Sequence, residues 1–517
     1  MVGTREYERR WWTLGVLCLS LVMIVAANTS LNVTLPTLVR DLHASSGALQ
    51  WIVDAYSLVF AGLLMTAGSL GDRYGRRPAL NIGLVIFGGA SAVAAFSGSA
   101  GALIAARAVM GVGAALVMPA TLSVLAHVFP PDERRRAIAV WAGFAGIGAA
   151  TGNVVSGWLL LHFWWGSVFL LNVVVVAVAL VAGAFLVPSS RDDHRPALDP
   201  AGALLSIVGL GALIYAIIEA PVRGWLSAPT FASFGVAIVV LAGFIAWELR
   251  ASDPMLDLRY FRNPRFTAAT STITLIFFVI FGTIFLLTQY LQLVLGYSPL
   301  AAGIRVLPWA AVYMLSAPYS ARMVERFGQR AVVSGGLLIV AGSLVLLSRS
   351  SVHADYGLLA LSLVIMAFGQ GMVTAPSTGA IVVSLPLDKA GVGSAINDTT
   401  RELGGALGVA VFGSLLVSRY QVEVSRHLAG LPAAAHNATS SLGAAIQVSG
   451  QLGGQQGATL ASVARHAYVH AFDVTVLVTV VVSLLAAGLV SWLLRPEPVD
   501  AEAHAAARLG AAGVEAA

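Results

Sequence analysis

Five charged residues lie where a hydrophobic chain has least use for them: Asp54, Arg107, Asp398, Arg401 and Glu402, each inside an apolar run of membrane-spanning length. A charge at the bilayer centre costs at least ~2.5–3.5 kcal/mol, so each needs a partner or a task. The chemistry on offer is proton transfer. Asp398, Arg401 and Glu402, at offsets of three and four, share one helix face, so the guanidinium can neutralise one carboxylate while the other titrates. A static cluster bracing its helix would use the same spacing. Helical rise places these three about 10–17 Å from the inner end of their segment. Arg107 and Asp54 lie about 9 Å and about 7 Å below the opposite face by the same arithmetic. That matched depth predicts an Asp54–Arg107 pair: proton-sensitive, permanently ionised, or replaced by an Asp54 that caps the helix start near Trp51. Arg305 is a further charge whose role stays open.

The elements that must position these groups are membrane helices. Hydrophobic residues make up 58% of the 517 residues and charged ones 11%, against roughly 25% in soluble domains, and the mean hydropathy is +0.83. About 20 apolar residues cross a bilayer. Fourteen such segments are predicted: 12–34, 49–70, 79–98, 101–127, 137–161, 166–188, 200–219, 229–249, 266–293, 299–321, 331–348, 356–380, 391–418 and 471–494. The first is too long for a signal-peptide core and is expected to remain as a helix. Net charge +5 follows the positive-inside rule rather than announcing nucleic acid, and it places both termini in the cytoplasm. Cys18, the single cysteine, excludes an intramolecular disulfide.

Between the second and third segments stands GSLGDRYGRRPAL (68–80). Gly68, Gly71 and Gly75 permit a tight turn, Asp72 is a lone carboxylate at a helix junction, and Arg73, Arg76 and Arg77 crowd the loop. A plain positive-inside loop explains the arginines but not the spaced glycines with Asp72. The stretch resembles the loop between helices 2 and 3 of major facilitator transporters. The chain also repeats itself. Glu325-Arg-Phe-Gly328-Gln-Arg330 echoes this loop, and Arg107-x3-Gly111-Val-Gly113-x5-Pro119 is echoed by Gly369-Gln-Gly371-x4-Pro376. Two six-helix halves in the same orientation follow. The domains are then 1–188, a two-helix insert at 189–265, a second bundle at 266–495 and a cytoplasmic tail at 496–517.

A six-plus-two-plus-six arrangement resembles the fourteen-helix drug:proton antiporters of EmrB/QacA type. The resemblance rests on NVTLP (32–36), the 68–80 loop, 103–115, PMLDLRYFRNPRF (254–266), YLQLVLGYSPLAAG (290–303) and GVGSAINDTTRELGGALG (391–408). It implies an all-α major facilitator fold and proton-coupled efflux by alternating access. Asp72 and its arginines would latch the cytoplasmic side, and the buried charges would carry the proton. Two departures stand out. Many relatives carry an acid five positions before Asn32, here Ala27. The helix 5 motif Gly-Pro-x-x-Gly-Gly appears as Gly152-Asn153-Val-Val-Ser156-Gly157. Gly148, Gly152 and Gly157 still allow close helix approach.

Tyr56, Gln289, Tyr290, Gln292, Trp309 and Tyr313 mix aromatic faces with polar handles, suiting a pocket for lipophilic or cationic drugs, although packing alone also explains each of them. Trp11, Trp12, Trp51, Trp164, Trp165 and Trp225 fit interfacial anchors. In the connection at 419–470, histidines 427, 436, 466 and 470 lack metal-ligand spacing apart from the His466/His470 pair, and no metal site is expected. No Gly-x4-Gly-Lys-Ser/Thr loop exists and the sole lysine is Lys389, so energy must come from a gradient and not from ATP. The expectation is a monomeric, multi-pass plasma-membrane exporter without cofactor or enzymatic activity, whose partners are the lipid bilayer, protons and small lipophilic or cationic substrates. Its rivals are a dedicated exporter of one endogenous metabolite, a proton-uncoupled facilitator, and a membrane sensor or scaffold that transports nothing.

Overall fold

In a computed structural model, residues 5–188, 199–252, 254, 256–353, 356–385, 390–426 and 439–494 are described. The 189–198 connection, Lys389, the histidines at 427 and 436 and the 496–517 tail lie outside them. After a short turn α1 (Arg5–Glu8), the helices are α2 (Arg10–Asp41), α3 (Ser46–Tyr74), α4 (Arg76–Ala95), α5 (Ala100–Val128), α6 (Pro131–His162) and α7 (Ser167–Leu186). Next come α8 (Pro200–Arg223), α9 (Ala228–Glu248), α10 (Pro264–Gln289), α11 (Pro299–Leu347), α12 (Tyr356–Val383), α13 (Ala390–Arg426), α14 (Leu442–Leu452) and α15 (Gly454–Leu493). Among the described residues thirteen stretches are long and apolar enough to cross a membrane, with α11 supplying two of them and α6, the predicted 137–161 segment, none. The predicted segments at 299–321 and 331–348 run together because α11 is continuous apart from a kink at Gly328 (φ 78°, ψ 155°).

Helices α2 to α7 pack as one bundle, and α10 to α13 with α15 as a second. The bundles meet along two seams, α3 against α13 and α6 against α11. Glycines set both internal and cross-bundle approach. A Cβ on Gly83 would lie 2.8 Å from Gly113 O, and one on Gly336 would lie 2.8 Å from Gly369 O. Gly83 follows Gly75, and Gly336 follows Gly328, by the same eight residues, so the repeat is structural. Its register differs from the sequence pattern: Gly113 matches Gly369, not Gly371, because backbone contact rather than motif spelling aligns the helices. Across the seams, Gly157 abuts Leu300 and Gly303 abuts Asn153.

The inserted pair has its own geometry. Helix α8 packs on α9, α3 and α13, so it lies across one seam. Leu58, Ile214, Ile217, Ile218, Ala406 and Ala410 form a separate apolar cluster there. The Ser414 hydroxyl donates to Ile217 O (2.8 Å), and Trp225 Nε1 donates to Ser418 Oγ (3.0 Å). Helix α9 backs onto α8, and only Thr230, Ala237 and Glu248 are fully buried on it.

Candidate functional site

Helix α5 carries Arg107 and α3 carries Tyr56, and their close packing buries both completely. Gly111 makes this approach possible, since a Cβ there would lie 2.6 Å from Tyr56 O. Arg107 Nε donates to Ile52 O (3.0 Å), and the guanidinium carbon sits 4.3 Å from the centre of the Tyr56 ring. Such a desolvated cation–π contact stabilises by ~2 kcal/mol. Nη1 and Nη2 of Arg107 and the Tyr56 hydroxyl hydrogen-bond to nothing.

The predicted Asp54–Arg107 pair does not form. Asp54 is fully buried and neither carboxylate oxygen has a partner. Equal depth was a sound inference, but azimuth decides contact. Asp54 lies about 200° around α3 from Tyr56, at about 100° per residue. It shares the face of Gln50 and Ser57, which meets α13 at Gly413 and Glu402. Nor does Asp54 cap the helix start, because the Ser45 side chain does so by accepting from Ala48 N.

On α13 Arg401 pairs with Asp398, and Glu402 forms no ion pair among the described residues. Arg401 Nη1 lies 3.6 Å from Asp398 Oδ1, and its guanidinium carbon is 4.6 Å from the Phe277 ring. Asn397 Nδ2 donates to Asp398 Oδ1 (3.3 Å) while accepting from Thr378 (3.0 Å). Glu402 turns instead toward α3, where its carboxylate comes close to Ser57, and its Oε2 has no hydrogen-bond partner among the described residues. Its charge acts first on Arg401 and Asp398 of its own helix and, more weakly and across the seam, on Arg107 and Tyr56. A carboxylate of one bundle therefore lies within electrostatic range of a guanidinium and a phenol of the other, and four of their polar atoms have no hydrogen-bond partner among the described residues. The Arg401 side chain is 43% accessible, so an opening reaches this level.

Of the pocket candidates, Trp309 and Tyr313 form a parallel stack (5.5 Å, 5°) held to α12 by Trp309 Nε1 to Gln370 Oε1 (2.8 Å) and Tyr313 OH to Thr374 Oγ1 (3.1 Å). Gln370 Nε2 stays unpartnered beside them. Tyr290 is committed to structure: it donates to Ser351 O (2.6 Å) and stacks on Phe472 (5.3 Å). Gln292 ties the bundles together through Val33 O (2.9 Å), and Gln289 bonds to Phe285 O (3.2 Å). Arg305 sits between the rings of Tyr297 (3.8 Å) and Tyr356 (5.2 Å).

At the 68–80 turn, Gly75 takes φ 118°, a conformation that needs glycine, and Gly68 rests against Pro119. Arg77 Nη2 donates to Ala184 O (2.8 Å) and Arg76 Nη1 to Ser123 O (3.4 Å), both near helix C-termini of the same bundle. Arg73 lies over its neighbour Tyr74 (5.6 Å). The Asp72 side chain lies outside the described residues. In α6, Gly148 and Gly152 meet α2 at Val22 and Ala26, while Gly157 meets α11 and Asn153 Nδ2 donates to Ala149 O (3.3 Å). His466 and His470 line a cavity of about 410 Å³ with Glu423, and no group of three or more metal-ligating side chains occurs among the described residues. Two polar groups escaped sequence reasoning. Asp473 in α15 has an unpaired Oδ1 and was findable by the rule applied to Asp54. Asn172, uncharged within a valine-rich run, gives no such signal.

A family profile described as the Major Facilitator Superfamily matches residues 17–409. The chain is 38% identical over 450 residues to the multidrug efflux pump LfrA of Mycolicibacterium smegmatis, covering 87% of this chain and 89% of that one. It is 36% identical over 456 residues to the methyl viologen resistance protein SmvA of Salmonella typhimurium, covering 86% and 90%. Among solved structures, a bacterial homolog of the human lysosomal transporter Spinster superposes with a TM-score of 0.68 at 18% identity, over 96% of this chain and all of that one.

Proposed function

The chain belongs to the Major Facilitator Superfamily, and on that premise we propose that it exports small lipophilic or cationic molecules across the plasma membrane in exchange for protons. The relatives LfrA and SmvA, a multidrug pump and a methyl viologen resistance protein, support the substrate class. One observation carries the mechanism: Glu402 on α13 lies across the bundle seam from Arg107 and Tyr56, within electrostatic range and with unpaired polar atoms on both sides. In this reading Glu402 takes the proton and Arg107 favours its release. Asp398 with Arg401 tunes the same helix, and Asp54 is a second carrier facing α13. Any rearrangement of the seam changes the distance between the two charges, which couples protonation to access. The Trp309–Tyr313 stack offers a π face to a cation or flat ring.

Cross-bundle hydrogen bonds cluster at the Ser46 end, as with Gln292 to Val33 and Ser46 to Ser440. We read that end as external and closed, the Gly75 and Gly328 turns and both termini as cytoplasmic, α6 as a further crossing, and the domain division as 1–188, 189–265, 266–495 and 496–517. The protein is taken as a monomer. The test is proteoliposome transport of methyl viologen under an imposed pH gradient. Glu402→Gln is expected to bind the cation but lose gradient-driven accumulation at least tenfold. Gradient-driven transport equal to wild type would assign the proton elsewhere.

A further inference from the structure

A cleft separate from the bundle seam opens between α6 and α7, with α2 as its floor. Its volume is about 110 Å³, and Met23, Ser30, Thr151, Gly152, Asn172 and Val175 are among its walls. No charged residue lines it. Exposed Leu171 and Val155 at its rim show that it faces the bilayer. Asn172 decides its chemistry. The residue is 6% exposed, lies about 7–8 Å from the start of α7 by helical rise, and its carboxamide hydrogen-bonds to no described residue. An amide left bare at that depth is costly. The nearby hydroxyls cannot satisfy its acceptor, because each spends its proton on its own helix: Thr151 on Ile147 O (2.8 Å), Ser30 on Ala27 O (3.2 Å) and Ser156 on Asn153 O (3.1 Å). Their lone pairs remain as acceptors.

We propose that this cleft binds a small uncharged lipophile, one ring in size and bearing a single hydroxyl, taken from the bilayer, with Asn172 as the polar anchor. The volume is of the order that holds benzene in an apolar cavity. The missing partner of Asn172 is a donor for its carbonyl and an acceptor for its amide, and one hydroxyl supplies both. The absence of charge in the walls excludes cations such as methyl viologen. The site also abuts Gly152, where α6 meets α2.

The full-length protein in phosphatidylcholine nanodiscs is to be photolabelled with a diazirine-bearing phenol and, in parallel, with the corresponding toluene lacking the hydroxyl. Peptide mapping is expected to place phenol adducts within 19–30, 151–159 and 168–175. Excess unlabelled phenol should compete, and Asn172→Leu should cut labelling at least fivefold. Thr151→Phe, which fills the cleft without touching the amide, should do the same, so a poorly folded Asn172→Leu does not spoil the test. Equal labelling by the toluene, or adducts spread over outward positions such as Val174 and Val178 and indifferent to both variants, would reduce the observation to bilayer partitioning and overturn the proposal.

Discussion

At the scale of single residues, the buried charges differ in what their removal leaves behind. Arg107 has two nitrogens without a hydrogen-bond partner and forms no ion pair among the described residues. Exchanging an unpaired buried ion for an apolar side chain of similar length is often neutral or stabilising. Arg107→Met forfeits the ~2 kcal/mol contact with Tyr56 but relieves a desolvation penalty of several kcal/mol, so its unfolding free energy is expected to stay within about 2 kcal/mol of wild type while methyl viologen efflux falls at least tenfold. A merely structural arginine would lose stability and transport together. Asp54→Asn follows the same logic: with no partner to strand, it should leave thermal unfolding nearly unchanged, and any loss of efflux then reports proton handling. Paired measurement of unfolding and transport on each variant separates these outcomes. Sequence could place Asp54 and Arg107 at one depth, because rise per residue is fixed. It could not say that Ile52 and Tyr56, not Asp54, present the face that Arg107 meets, because helix rotation is set by side-chain packing against neighbours.

At the scale of elements, glycine explains why so much was legible. The turns at Gly75 and Gly328 were readable because only glycine enters that backbone region freely, so the need is written into residue type. Gly75→Ala is expected to destabilise by ~1–3 kcal/mol. Gly89→Ala, on a helix with open space around the added methyl, should stabilise by up to ~1 kcal/mol. Opposite shifts in thermal unfolding would support the contrast, and equal shifts would remove it. The two-residue register shift of the repeat was not legible, since the pattern aligns Gly111 with Gly369, yet Gly111 meets Tyr56 O while Gly369 meets Gly336 O. The division of Asp398, Arg401 and Glu402 was equally hidden. A shared helix face permits all three to interact, yet Arg401 closes an ion pair only with Asp398 and stacks on Phe277, while Glu402 comes close to Ser57 and feels Arg401 through space.

At the scale of the whole molecule, the proposed alternating-access cycle requires the Ser46 end to open. A Cβ at Gly413 would lie 2.9 Å from Gln50 Cγ, which puts the two Cβ atoms within disulfide range. In a Cys18→Ser background, Gln50→Cys with Gly413→Cys should cross-link on oxidation, stop efflux, and recover when reduced. Full transport by the oxidised protein would show that the bundles never part there. Helix α8 bridges this same seam, with α9 behind it turned almost entirely to lipid. Parting Gln50 from Gly413 thus pushes a two-helix panel sideways into the acyl chains. The work of that step contains lateral pressure multiplied by the change in cross-sectional area, so the packing of the surrounding lipids acts as a load on the transport cycle. Among membranes presenting the same proton gradient, the tighter one should turn this transporter over more slowly.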